Sequence, residues 1–406
     1  MTETGTTVGE GKGHKRITFT SKLLNSTDNV VFLISGSGKK TALKRLLDQS
    51  EEWERTPAKL VSNNSKIIVI SHIGRPKGKR LEEFSLKPIC ENLEKKLQKK
   101  IKLIKDDIYK LEKSNLFQDS EDQILFLENI RFYKEEEEND PNFSQHLAKL
   151  ADLFVNDAFS CSHRAHSSIS KITDFIPSYA GLQLETEIKA LKKVTLEIKK
   201  PITCIIGGSK ISTKISIIKN LIKKFDNIVI VGGMANSILK YVGQPIGKSI
   251  QEHNCDEIIN DIFSLSKKYS CTVTLPKDVV VGKKMDGVGE IKELSEINND
   301  DLILDIGPKT IKNIKLIIET SKTILWNGPA GYFENPNFSK GSFEIGKKIA
   351  EKNKLNQIFS VAGGGDTAAL LNDIGILDSF NFVSTAGGAF LEYLEGKELP
   401  GINALD

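Results

Sequence analysis

A chain of 406 residues exceeds what one core usually supports, and hydrophobic residues at 39% are enough for two cores of roughly 200 residues each. The formal net charge is only +4, too small to argue for nucleic acid or membrane partners, and no apolar run approaches the roughly 20 residues of a membrane span. Five cysteines (90, 161, 204, 255 and 271) form an odd set without CxxC spacing, which indicates neither a zinc site nor a disulfide framework and fits a reduced, cytoplasmic compartment.

Residues 1–16 are polar and glycine-rich without an apolar core, and read as a flexible tail rather than a signal peptide or anchor. From residue 32 the chain runs "FLISGSGKKTALKRLL", the outline of a strand, a phosphate-cradling loop and a helix. The strict phosphate loop needs Gly, four residues, then Gly-Lys-Ser/Thr, so that successive amides wrap a phosphate. Here Gly38-Lys39 is followed by Lys40, and Leu33 stands where the first glycine belongs. A glycine-serine turn with solvated lysines is the simpler reading.

Short apolar, β-branched runs then alternate with helical patterns. The first half carries "KIIVISH" (66–72), "IKLIKD" (101–106), "ILFLENIRF" (124–132) and "LFVNDAF" (153–159). The second half carries "ITCIIGG" (202–208), "NIVIVGG" (227–233), "CTVTLP" (271–276), "LILDIG" (302–307), "KTILWNG" (322–328), "IFSVAGGG" (358–365) and "FNFVSTAGG" (380–388). Runs apolar throughout, rather than alternating, predict strands covered on both faces, hence parallel sheets flanked by helices. The fold class is α/β: two doubly wound parallel-sheet (Rossmann-like) domains, over 17–183 and 201–389. Between them "LETEIKALKKVTLEIKK" (184–200), with Leu184, Ile188, Leu191 and Leu196 at near-helical spacing, predicts a connecting hinge helix, and residues 390–406 are expected to return toward the first domain.

In such sheets ligands gather beyond the carboxyl ends of strands. All seven arginines (16, 45, 55, 75, 80, 131 and 164) fall before residue 165, and three of them sit in loops after strands: "SHIGRPKGK" (71–79), "ENIRF" (128–132) and "CSHRAHSS" (161–168). Three Arg/His loops at successive strand ends make a basic cleft suited to a small, multiply charged anion. His163 and His166 lack a nearby third ligand, and the flanking arginine opposes a cation. "KEEEEND" (134–140) reads most simply as a solvated acidic turn. The second half supplies nucleotide candidates. "IIGGSKISTKI" (205–215) joins strand to helix through two glycines and offers Lys210 and Lys214 at i, i+4 on one face. In "VAGGGDTAAL" (361–370), Asp366 opens a helix and either caps it or holds a phosphate-bound Mg²⁺. "STAGGAFLEYLEG" (384–396) adds a third glycine loop at a helix N-terminus, whose free amides favour developing negative charge.

Taken in order, "SHIGRPKGK", "ENIRF", "VNDAFSCSHRAHSS", "GGSKISTKI", "LDIGPKTI", "WNGPAGYFE", "GGGDTAA" and "STAGGAFLEYLEGKELPGI" closely resemble phosphoglycerate kinase over about residues 64–406. The resemblance implies a monomeric hinge-bending enzyme that moves a phosphoryl group between 1,3-bisphosphoglycerate with ADP and 3-phosphoglycerate with ATP. It assigns phosphoglycerate binding to His72, Ile73, Gly74, Arg75, Arg131 and Arg164. It assigns nucleotide contacts to Lys214, to Glu334 at the ribose, and to Gly363, Gly364, Gly365, Asp366 and Thr367, with Mg²⁺ nearest Asp366. Lys210 would stabilise the moving phosphoryl group, Arg75 would assist catalysis, and Gly387 and Gly388 would offer amides to the transition state.

The resemblance fails before residue 64. Family members carry a strand ending Asp-x-Asn-x-Pro and an arginine about fifteen residues later, all contacting phosphoglycerate. Here "NVVFLI" runs into Ser35-Gly36-Ser37-Gly38, and Arg45 is only a nearby candidate for the arginine. Ala386 also stands at a family glycine, and Ser160-Cys161 at Gly-Thr. The opening loop is therefore read as a replaced segment of the substrate site, with impaired catalysis expected. Two alternatives stay open: a non-catalytic relative acting as a nucleotide-binding regulator, and a phosphate-loop NTPase using residues 36–41.

Overall fold

The computed structural model describes residues 6–11, 14–19, 29–33, 66–117 and 124–406. The chain forms two compact units, residues 1–187 with 398–406, and residues 188–397.

In the first unit, strands β1 (Thr6–Gly11) and β2 (His14–Phe19) pair antiparallel, where the sequence alone suggests a tail. Thr, Val, Ile and Phe in these stretches suit a pleated ladder. The main sheet contains β3 (Asn29–Leu33), β4 (Lys66–Ile70), β5 (Ile101–Ile104), β6 (Ile124–Leu127), β7 (Leu153–Asn156) and β8 (Ser178–Ala180), ordered β5-β6-β4-β3-β7-β8 and parallel throughout. Its strands are apolar on both faces for the reason the runs suggest. Ile68, Ile70, Leu125, Leu127 and Phe154 enter one core, while their sequence neighbours Ile67, Val69, Ile124, Phe126, Leu153 and Val155 enter another. Helices α1 (Lys87–Leu97), α2 (Lys134–Glu137) and α3 (Pro141–Ala148) follow their strands.

Helix α4 (Leu182–Thr195) contains the division between the units. It is shorter than the expected 184–200. Its inward stripe includes Leu184, Leu191 and Val194, whereas Leu196 lies beyond its end and is 66% exposed. Pro201 disfavours helical backbone at Lys200, which helps end the pattern early.

The second unit's main sheet contains β9 (Ile202–Ile206), β10 (Asn227–Ile230) and β11 (Thr272–Thr274), then, later in the chain, β15 (Thr323–Asn327), β16 (Phe359–Gly363) and β17 (Phe382–Ser384). All its ladders are parallel, in the order β11-β10-β9-β15-β16-β17. Chain order reverses between β9 and β15, which places the ligand crevice at their carboxyl ends. Helices α5 (Ile215–Ile222), α6 (Gly233–Tyr241), α7 (Asp256–Tyr269), α8 (Pro308–Thr320), α9 (Lys340–Lys354), α10 (Gly365–Asp373) and α11 (Gly387–Leu394) flank it. One expectation is corrected. "LILDIG" does not join the parallel sheet: β14 (Leu302–Ile306) pairs antiparallel with β12 (Asp278–Gly282), which pairs antiparallel with β13 (Glu290–Glu293) in a separate three-stranded sheet. Only Asp305 and Ile306 of β14 are buried, so a run that looks apolar is half solvated.

Candidate active site

In the first unit the loop after β4 is shaped by a scaffold. Ile130 N donates to Ser71 O at 3.1 Å, and Asn129 Nδ2 donates to Ile73 O at 2.8 Å and to Phe84 O at 2.9 Å. Glu128 accepts from Ser85 Oγ and Leu86 N, both at 2.8 Å. Gly74 has φ +66, and a Cβ there would lie 2.4 Å from the Phe84 ring, so no other residue fits.

This scaffold carries Arg131 inward. Its side chain is buried, Nη1 donates to Gly74 O at 3.0 Å, and Nε lies 3.7 Å from Glu137 Oε1 without a hydrogen-bond acceptor. Burial lowers the guanidinium pKa, and the negative charge of Glu137 only partly opposes this. A buried cation with an unused N–H is built to receive an anion. Arg164, half-buried, donates from Nε to His163 Nε2 at 3.3 Å. Its loop is braced by the chain's end, where Gly401 N donates to Ser162 O at 2.9 Å and Asn156 Nδ2 donates to Gly401 O at 3.2 Å. His72 is held down to about 3, first by burial and then by Arg131, His166 and Arg164. His166 is held down to about 4 by burial, Arg131, Arg164 and His163. Both imidazoles are therefore neutral near pH 7 and leave the positive field to the arginines.

The structure thus gathers His72, Arg131 and Arg164, and adds His166, while Ile73, Gly74 and Arg75 lie exposed on the same loop. Arg80 hydrogen-bonds Lys105 O and the Tyr133 hydroxyl instead. The acidic run is not simply solvated. Glu136, in α2, is 2% exposed and accepts from Ser168 N at 2.9 Å and Ser168 Oγ at 2.7 Å. The only sequence signal was its place in a short helix, where one residue of a charged run must face inward. The stretch Ser35–Arg45, including Lys39 and Lys40, lies outside the described residues.

In the second unit the ends of β9 and β15 touch. A Cβ on Gly207 would lie 2.2 Å from Pro329 O, and one on Gly328, at φ +102, 2.5 Å from Gly207 O. Lys214 Nζ reaches into this junction and donates to Gly207 O at 2.7 Å, to Asn327 O at 3.3 Å and to Asn327 Oδ1. Burial lowers it to about 8, against the field of Asp366. Lys210 and Lys214 do not share a helix face, contrary to the expectation from their i, i+4 spacing. Helix α5 begins at Ile215, and both lysines lie in the preceding loop, where Ile211 is buried and Glu252 accepts from Ser212 N at 2.9 Å and from the Ser212 hydroxyl. Lys210 is exposed, while Lys214 turns inward.

Asn327, missed in the sequence, ties the crevice together. Its Nδ2 donates to Gly363 O at 2.6 Å while its oxygens take Lys214. The signal was available, since "WNGP" puts an amide side chain at a strand's carboxyl end. Gly364, at φ +96, is the N-cap of α10, so Asp366 lies inside the first turn and does not cap it. Its carboxylate is exposed and faces Lys214 electrostatically. Thr367 is fully buried, and its hydroxyl accepts from Gly328 N at 2.8 Å, so it braces the loop. Gly363 gives room to Phe390, whose ring a Cβ would meet at 2.3 Å, whereas Gly365 and Gly387 face open space. Gly387 and Gly388 open α11 with free amides; Ala386 before them has φ −87, a conformation in which alanine replaces glycine without strain. Glu334 lies exposed in a turn. Free amides of α10 and α11, Lys214 and an exposed carboxylate make a cradle for a polyphosphate.

The family model described as phosphoglycerate kinase matches residues 48–397. The chain belongs to the phosphoglycerate kinase family. Phosphoglycerate kinases of Wolbachia pipientis wMel and of the wPip strain are 45% and 44% identical to it over 350 and 348 residues, covering 85% of this chain and 87% of each relative. The solved phosphoglycerate kinase of Coxiella burnetii superposes with a TM-score of 0.82 at 33% identity, covering 95% of this chain and 97% of that one. A second model, described as glucosamine-6-phosphate isomerases/6-phosphogluconolactonase, matches residues 3–69. This is the stretch in which the phosphoglycerate kinase motifs are missing, and its strand β3 nevertheless pairs with β4 and β7 in the family's sheet. Among the described residues no helix is long and apolar enough to cross a membrane.

Proposed function

We propose that this phosphoglycerate kinase family member catalyses reversible phosphoryl transfer between 1,3-bisphosphoglycerate with ADP and 3-phosphoglycerate with ATP. The observation that carries this beyond family membership is the pairing of two complementary anion sites, each assembled at the carboxyl ends of a parallel sheet. Arg131 and Arg164, with His72 neutral beside them, suit the phosphate and carboxylate of phosphoglycerate. Lys214 and the amides opening α10 suit the nucleotide's phosphates, with Glu334 toward the ribose.

Phosphoryl transfer needs alignment and charge neutralisation rather than a protein nucleophile. The cysteines agree: burial pushes Cys90 and Cys204 up to about 12 and Cys271 up to about 11, so none of these three is a thiolate at neutral pH. Lys210, exposed in its loop, stabilises the transferring group, and the amides of Gly387 and Gly388 receive its charge. Arg75, exposed on the "HIGRP" loop, approaches the same group from the phosphoglycerate side. The exposed single carboxylate of Asp366 fits Mg²⁺, which prefers one or two carboxylates with the remaining positions filled by phosphate oxygens and water. When bound there, the ion would offset phosphate charge. The ligand sets lie in different units, so transfer requires their approach, and α4 is the proposed hinge. A cytoplasmic monomer suffices for this chemistry.

Replacement of the family's Asp-x-Asn-x-Pro stretch removes charge-assisted partners of phosphoglycerate, each worth roughly 1.5–3 kcal/mol. Lys39, Lys40 or Arg45 can supply charge, but lysine lacks the fixed fork. The expected enzyme is active, with weak phosphoglycerate and ordinary nucleotide binding. The test exchanges residues 1–65 for the corresponding segment of a Wolbachia relative. A large fall in the KM for 3-phosphoglycerate, with the nucleotide KM unchanged, is the expected result, whereas an unchanged KM for 3-phosphoglycerate refutes the substitution argument. A nucleotide-binding regulator without turnover is the competing reading.

A further inference from the structure

We propose that Glu136 is a positioning residue for the anion site: by clamping Ser168 it fixes the loop that carries Arg164 and His166 against the loop that carries Arg131. This rests on the kinase reading, whose phosphoglycerate site it deepens.

One short helix and the turn after it bond to the loop of Arg164 and His166, with Ser167 Oγ also donating to Asp140 O at 3.3 Å and Ser170 Oγ to Asn139 Oδ1 at 3.3 Å. Besides the two Ser168 bonds, Glu136 O accepts from Ser167 N at 2.9 Å, and Ser167 Oγ donates to Glu135 O at 2.8 Å. His166 Nδ1 lies 3.7 Å from Glu136 Oε1. Five residues earlier in the chain, Arg131 contacts Gly74 O and approaches Glu137. The helix Lys134–Glu137 therefore reaches toward both arginine loops at once, Glu137 on the Arg131 side and Glu136 on the Ser168 side. A carboxylate is the residue type that serves, because it accepts two bonds from one serine through separate oxygens.

Burying that carboxylate is unfavourable, and burial pushes it up to about 7 despite the two Ser168 bonds and the Arg131 field; Glu137 pushes in the same direction as burial. A clamp made only for stability has cheaper solutions, since apolar packing carries no desolvation cost. An acid here also faces Arg131 and His166, the groups that line the anion site.

Three proteins are compared: the wild-type chain, Glu136→Gln and Ser168→Ala. Glutamine keeps the shape but turns one acceptor into a donor, and alanine removes one of the two bonds. Each variant is expected to raise the KM for 3-phosphoglycerate about tenfold, the loss of one charge-assisted bond, while the KM for Mg-ATP stays within twofold. A merely structural residue lowers the melting temperature and the active fraction without separating the two Michaelis constants. Equal KM values for 3-phosphoglycerate in all three proteins overturn the proposal, whatever happens to stability. If the wild-type chain shows no turnover, the kinase reading has failed. The affinities of the three proteins for 3-phosphoglycerate by calorimetry then decide on Glu136: weakening in both variants supports it, and no difference overturns it.

Discussion

Replacing Lys214 with methionine should separate stability from binding in opposite directions. The ammonium is held at about 8 mainly by burial, against an ordinary lysine value near 10.4. That depression amounts to about 3 kcal/mol of unfavourable charge burial at neutral pH. Methionine removes the charge and keeps most of the stem. It leaves Gly207 O and Asn327 Oδ1 without this donor, at about 1 kcal/mol each, while Asn327 O keeps the amide of Gly207 at 2.9 Å. The unliganded variant should therefore be as stable as the wild type or about 1 kcal/mol more stable. Its Mg-ADP affinity should fall by roughly 1.5–3 kcal/mol, or about 10- to 150-fold. The pH dependence has a definite sign. The unfolded lysine keeps its proton to about 10.4 and the folded one only to about 8, so between these values the unfolded chain binds more protons and wild-type stability rises with pH. Wild-type stability should therefore rise relative to the methionine variant over that window, by about 2 kcal/mol between pH 7 and pH 9.5, enough to overtake it. Urea unfolding at pH 7 and pH 9.5 reads the first effect, and calorimetry with Mg-ADP the second. A variant that loses about 2 kcal/mol of stability yet binds Mg-ADP normally refutes the assignment.

Nucleotide phosphates placed against Lys214 should raise its pKa, so Mg-ADP binding at pH 8.5 should take up protons. Calorimetry in buffers of different ionisation enthalpy measures this, and zero uptake in the wild type contradicts the contact. Asp366→Asn should weaken Mg-ADP more than metal-free ADP, whereas equal weakening of both argues against a metal role. Arg131→Lys should raise the KM for 3-phosphoglycerate about tenfold or more, because lysine cannot reproduce the planar fork that reaches Gly74 O at 3.0 Å; an unchanged KM removes Arg131 from the site. Thr367→Val leaves the Gly328 amide unpaired in a buried place and should cost about 1–3 kcal/mol in urea unfolding. No loss of stability would show that water replaces the hydroxyl.

Both parallel sheets were legible because their runs are apolar on each face, and the glycine loops because close backbone approach demands glycine at Gly207 and Gly328. The sequence misled where a local pattern had two physical solutions. "LILDIG" has the composition of a buried parallel strand, yet β14 sits in a small antiparallel sheet, a choice made by β12 and β13, whose mixed residues drew no strand assignment. Lys210 and Lys214 have helical spacing, but the loop is fixed by Ile211 and by the Glu252 contacts to Ser212, both set by tertiary structure. Glu136 shows the same limit: four glutamates in a row give no hint of which one is buried until Ser168 is placed beside it.

The most direct test of the account is the steady-state rate of 3-phosphoglycerate phosphorylation by Mg-ATP, with both substrates varied. The account predicts turnover with a high KM for 3-phosphoglycerate and an ordinary KM for Mg-ATP. No turnover above background at saturating concentrations of both, in a chain that binds Mg-ADP normally, would contradict it and leave a nucleotide-binding protein on a kinase fold.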